Sequence, residues 1–159
     1  MCLVIVLISF LKLINNMKNY NLFLDDVRRP EDACVPGVRR KDLDIVVTTS
    51  LLDLTNTTSD EWVIVRTYDE FELMLNSEGI PEKVSFDHDL HISHIKYFFK
   101  ETVLSGIIEY TNLTVKTGYH CAQLLVKECK RLNVPLPECY VHSANDVGSS
   151  NIQNVLKQF

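Results

Sequence analysis

The sequence predicts an α/β fold on a mainly parallel sheet of four or five strands. Two observations carry this. Short apolar runs, too brief for helices, alternate along the chain with segments of helical periodicity. Several of those runs also stop abruptly on acids or histidines instead of on hairpin-turn residues. Strands that alternate with helices pair in parallel through right-handed crossovers. Ligands of such open sheets bind beyond the carboxyl ends of the strands. The polar residues that end the runs should therefore collect along one edge.

The first element stands apart. CLVIVLISFLKLI, residues 2–14, falls short of the roughly 20 apolar residues of a membrane span. It also lacks a basic n-region and a small-residue cleavage site. Met17 then opens MKNYNLFLDD, so residues 1–16 read as a hydrophobic appendage, from an upstream start codon or serving as an interfacial anchor. Residues 17–159 read as one domain.

Within that domain YNLFLD (20–25) is a buried strand. Pro30, Pro36 and Gly37 mark a loop ahead of the short apolar runs LDIVV and LLDL. WVIVR (62–66) is a second strand. A helix follows, opened by Thr67 and Glu70 as a capping box and closed by Gly79. KVSF (83–86) is a third strand. Residues 91–116 mix Tyr97, Phe98, Phe99 and Tyr110 with charges and suit a helix, a short strand or a lid. From Thr117 apolar residues at 121, 122, 125, 126, 129 and 132 describe an amphipathic helix. CYVH (139–142) is the fourth strand, and a capping box Ser150-x-x-Gln153 predicts that the last helix begins at Ser150.

Composition excludes some functions. A net charge of -5 argues against an electrostatic track for long duplex nucleic acid. Arg28, Arg29, Arg39, Arg40 and Arg66 can still grip one or two phosphates, which favours a small-molecule or terminal phosphate substrate. Five cysteines, an odd number without a CxxC pair, fit reduced thiols and a cytoplasmic location.

The strand ends carry the chemistry. Asp25 and Asp26 are adjacent carboxylates whose repulsion is relieved by a hard cation such as Mg2+ or by an arginine. The plainer alternative has one acid capping the next segment while the other pairs with Arg28 or Arg29. Asp87 is expected to join them as a metal ligand and, with Asp89 pointing the same way, as a catalytic carboxylate that orients histidine; His88 points opposite unless the chain has turned. A histidine between two carboxylates suits acid–base work near neutrality; the alternative is a structural histidine at a turn. His91 and His94 complete an HxxHxxH pattern, which suits zinc less than a lid or surface. His142 and Ser143 add a second proton-transfer group and a phosphate contact. Asn145, Gly148 and the helix starts at Thr117 and Ser150, with Asn151 beside the latter, would bind substrate.

LFLDDVRRP, VRTYDEF, SFDHDL, TGYHCAQLL and VHSANDVGSSNI resemble, in order and spacing, the cyclic-phosphate-processing receiver-like domain family over residues 20–157. The resemblance implies a receiver-like three-layer sandwich without the usual C-terminal strand. It places Asp25, Asp26 and Asp87 at the receiver's acidic positions and Ser143 at its strand-four hydroxyl. It also implies His88 and His142 as acid–base residues acting on nucleotide, RNA-end or ADP-ribose-type cyclic phosphates. His91 stands where the family has glycine, and Asp146 where it has proline. Two other functions suit the same residues: a binder that sequesters a nucleotide or cyclic phosphate signal, and a receiver phosphorylated on Asp87. The second lacks the lysine that receivers carry on a fifth strand.

Overall fold

Four apolar runs become four strands: β1 (Asn21–Leu24), β2 (Trp62–Val65), β3 (Lys83–Phe86) and β4 (Glu138–Val141). All pair in parallel, in the order β2-β1-β3-β4. The computed structural model describes residues 20–30, 62–91, 93–94 and 107–159. The apolar stretch at 1–16, the runs LDIVV and LLDL, and Tyr97, Phe98 and Phe99 lie outside them.

Three helices accompany the sheet: α1 (Tyr68–Glu78), α2 (Gly118–Leu132) and α3 (Asp146–Lys157). Thr67 caps α1 by accepting the Glu70 N–H at 3.2 Å. The Glu70 carboxylate reaches past the cap to the N–H of Arg66 (2.6 Å). Gly79, with φ of 86°, ends the helix in a conformation that favours glycine. Asn133 ends α2 in the left-handed region (φ 54°).

The start of α3 differs from expectation. Asn145 caps it, accepting the Gly148 N–H at 2.9 Å, and the helix begins at Asp146. Asparagine caps as well as serine does, and Asn145 comes first after β4. The helix therefore gains a turn, and Ser150 lies exposed within it instead of heading it.

Strand alternation sorts the interior into two faces. Leu22, Leu24, Val84 and Phe86 face a core shared with Phe71 and Leu75 of α1, Cys121, Leu125 and Cys129 of α2, and Ile152 of α3. Each fully buried side chain of this kind contributes about 1.5–3 kcal/mol. The opposite face carries Phe23 edge-on to Trp62 (6.1 Å), flanked by Ile64 and Tyr140. This is the expected receiver-like α/β sandwich, of which the described residues supply the sheet and one helical layer. Among them no helix is long and apolar enough to cross a membrane.

Candidate functional site

The sheet register decides where the polar strand ends go. Phe23, Ser85 and Tyr140 lie in one row across β1, β3 and β4. Asp25, Asp87 and His142 follow them by two residues and so emerge on the same face. Their N–H groups continue the ladder, to the carbonyls of Val65 (3.1 Å), Leu24 (2.8 Å) and Phe86 (2.9 Å). His88 follows Phe86 by two and emerges on the helix-covered face.

Arg28 organises the first group. Its Nε donates to Asp25 Oδ2 at 2.5 Å, its Nη2 pairs with Asp87 Oδ1 at 3.0 Å, and its Nη1 donates to the His142 carbonyl at 3.1 Å. Asp25 is fully buried, and its Oδ1 also accepts the N–H groups of Val27 (2.8 Å) and Arg28 (2.5 Å). Arg66 fastens the same loop by donating to the carbonyls of Asp25 (2.7 Å) and Arg28 (2.6 Å).

His142 is enclosed beside them. Its ring stacks on Phe23 at 4.4 Å, with Nδ1 at 2.7 Å from Ser85 Oγ and Nε2 at 3.2 Å from Asp25 Oδ2. An ionised carboxylate only accepts, so Nε2 carries a proton and Nδ1 accepts from the Ser85 hydroxyl. Burial works to raise the pKa of Asp25, but the His142 hydrogen bond and the Arg28 charge outweigh it and hold the carboxyl well below the usual range. Asp87 goes the other way. Burial pushes its pKa up against the opposing charge of Arg28, and the nearby Asp25 charge adds to the rise.

Oxygens of Asp25, Asp26 and Asp87 lie within 4.8 Å of one another. As hard donors they suit a cation such as Mg2+. Arg28 already places a positive charge against two of the three.

His88 organises the second group, and here the chain has turned. Asp89 does not follow Asp87; its Oδ1 lies 2.7 Å from His88 Nδ1. Nε2 of His88 meets the Tyr110 hydroxyl at 3.0 Å, and the Asn151 amide donates to that hydroxyl at 3.0 Å. The Asn145 amide reaches both Asp89 oxygens at 3.4 Å. The carboxylate of Asp89 puts the imidazole proton on Nδ1, so Nε2 accepts from Tyr110. Burial pushes the Tyr110 pKa up and keeps the phenol protonated.

Two glycines make this packing possible. A Cβ on Gly148 would lie 2.3 Å from Cγ of His88, and one on Gly118 would lie 1.8 Å from the Asp87 carbonyl oxygen. Gly148 was expected to let backbone approach a ligand; what it admits is the histidine ring.

The remaining predicted residues sit around these groups. Ser143 is buried, and its hydroxyl accepts the Asn145 N–H at 3.2 Å. Thr117 is the cap of α2, but its N–H donates to Nδ1 of His120 (3.0 Å) and its hydroxyl lies 3.1 Å from the same nitrogen. His91 and His94 take separate partners, Ser93 Oγ (2.7 Å) and the Val115 carbonyl (3.0 Å), and do not converge with His88. Sequence reasoning missed Ser85 and Tyr110 as site residues; Arg66, expected to grip phosphate, instead holds the loop after β1. Ser85 was legible: it stands two residues before Asp87, on the same strand face. Tyr110 belongs to a segment without periodicity, and nothing in its spacing points to His88.

A family model described as the cyclic-phosphate processing receiver domain matches residues 20–158. No curated protein and no solved structure matches the chain.

Proposed function

The chain belongs to the cyclic-phosphate processing receiver domain family, and on that premise we propose that it is a phosphoesterase that opens cyclic phosphates of nucleotide, RNA-end or ADP-ribose type. The observation that carries this is the contact between Asp89 and His88 at 2.7 Å. It fixes the tautomer in which Nε2 can take a proton, the arrangement that general-base catalysis requires.

In the reaction, water gives a proton to the Tyr110 oxygen, which passes its own to Nε2 of His88, while the water oxygen bonds to phosphorus. The ring P–O bond breaks, and its electron pair stays on the leaving oxygen. That oxygen takes a proton from Asp87, whose raised pKa suits a donor. Asp87 regains its proton from solvent as the imidazolium gives one up, so one water is consumed and charge is conserved. The Arg28 guanidinium faces the developing charge on the phosphoryl oxygens, with Ser143 and Asn145 at the rim. His142 becomes a positioning residue, since its ring is held between the Ser85 hydroxyl and the Asp25 carboxylate, whereas Nε2 of His88 meets a hydroxyl that can pass it a proton. Mg2+ held by Asp25, Asp26 and Asp87 would add Lewis-acid polarisation of the phosphate, with Asp87 then ionised and the leaving oxygen protonated by solvent.

The enclosure of both histidine side chains favours one other reading, a binder that sequesters a cyclic phosphate without turnover. Phosphorus NMR of wild-type protein with 2′,3′-cyclic nucleotides, cyclic-phosphate RNA ends and ADP-ribose cyclic phosphates decides between them. Conversion of at least one to a monoester is expected. Saturable binding in calorimetry with no product from any would leave the binder and sink the enzyme.

A further inference from the structure

The proton string at His88 ends in a wall. Tyr110 and Asn151, which hydrogen-bond to each other, both line a cleft of about 780 Å3 between α2 and α3. That is the size of a small-molecule site. Its lining differs in charge from the rest of the chain. The protein carries a net charge of -5, yet the described residues lining the cleft include two lysines and no acid.

The lining is also ordered along α2. Tyr119, Gln123, Lys127 and Lys130 recur at spacings of four, four and three residues, which places them in one stripe. Tyr119 stacks on Tyr110 at 3.9 Å and 13°, forming an aromatic wall at the His88 end. At 1.5 Å per residue, Lys127 lies about 12 Å and Lys130 about 16 Å farther along the helix.

We infer that this cleft holds the non-reacting part of the substrate, and that this part is a nucleotide body with a second anionic group remote from the cyclic phosphate. The inference rests on the proposed reaction at His88 and adds its substrate class: a nucleoside cyclic phosphate carrying a further phosphate or diphosphate. The aromatic wall and amide groups suit a base and ribose. The two lysines take the remote phosphate, at a distance that a bare cyclic monophosphate does not span.

The test compares adenosine 2′,3′-cyclic phosphate with the same compound bearing a 5′-diphosphate, using the full chain. The diphosphate should raise kcat/KM about 10-fold, the effect of roughly two exposed ion pairs. The Lys127→Ala/Lys130→Ala protein should lose that preference through KM, with kcat for the diphosphate form retained. Equal kcat/KM values in wild type, or a preference that survives the double substitution, would overturn the cleft. If wild type turns over neither compound, the proposed reaction is judged separately on the wider panel of cyclic phosphates. Calorimetry then decides the cleft: tighter binding of the diphosphate form, lost in the double variant, supports it, and equal binding refutes it.

Discussion

Two clusters share one sheet edge and differ in what their hydrogen bonds accomplish. Around Arg28, the groups at the ends of β1, β3 and β4 satisfy one another: Arg28 touches Asp25, Asp87 and the His142 carbonyl, and His142 is held between Ser85 and Asp25. Around His88, the bonds form an open string, Asp89 to His88 to Tyr110 to Asn151, whose far end faces a cleft. A closed set of charges builds a rigid floor; in the proposed reaction the open string carries a proton inward to His88. Histidines that look equivalent as strand terminators thus acquire different tasks, because one follows Ser85 and Tyr140 in the register and the other follows Phe86.

The division is most exposed to test at the histidines. His88→Ala should lower turnover of a cyclic phosphate by about 10²- to 10⁴-fold, the usual contribution of a positioned base. His142→Ala should act first on folding, since it empties the space beside Phe23, leaves the Ser85 hydroxyl without its imidazole partner and removes one of the hydrogen bonds to Asp25. Steady-state kinetics beside urea unfolding separates the two. Equal losses of kcat with unchanged stability would erase the distinction.

Within the Arg28 cluster, Asp25→Asn should cost about 3–5 kcal/mol, because it removes a buried charge that Arg28 Nε, two backbone N–H groups and His142 all bind, and turns an amide N–H2 toward donors. The sign of its pH dependence follows from its lowered pKa. Its stabilisation is complete above the ordinary carboxylate range and fades as pH falls through the folded-state pKa. Wild type and variant should therefore converge in acid; unfolding midpoints that stay apart at every pH would contradict this.

How much of this was legible in the sequence follows from its physics. KVSF and the helix opened by Thr67 and ended at Gly79 were readable because apolar run, cap and terminator are all local. The common edge followed from strand–helix alternation alone. The split along that edge depends on register and on the turn at Asp89, and register is a property of partner strands. The start of α3 was misjudged because two cap sequences overlap, Asn145 and Ser150, and only the path of the chain after β4 chooses between them. Tyr110 was hidden because its partner is set by tertiary packing.

A smaller effect tests how tightly the string is held. Gly148→Ala puts a methyl group where the His88 ring lies. Overpacking of this kind costs about 1–3 kcal/mol, and it should push the ring away from Asp89. Turnover should fall further than the lost stability explains, because the protein that remains folded carries a displaced base. Turnover per folded molecule equal to wild type would mean that the contact between His88 and Asp89 is not needed.

The smallest expected effect belongs to Asp87, and it sharpens the contrast with Asp25. Burial and the neighbouring charge raise the Asp87 pKa despite Arg28, so the folded state binds this proton more tightly than the unfolded chain does. Such a group stabilises below its unfolded pKa, and that stabilisation is lost as pH rises through the folded one. With its proton held, the carboxyl gains little from Arg28, so Asp87→Asn, a neutral group of the same shape, should change stability by less than about 1 kcal/mol, with Arg28 still paired to Asp25. Relative to the variant, wild type should lose stability as pH rises above the ordinary carboxylate range, opposite in sign to the trend for Asp25. Urea unfolding across that range reads both slopes. A loss for Asp87→Asn as large as that for Asp25→Asn would show that the two carboxylates share the Arg28 charge equally, and Asp87 would then have no special claim to donate a proton.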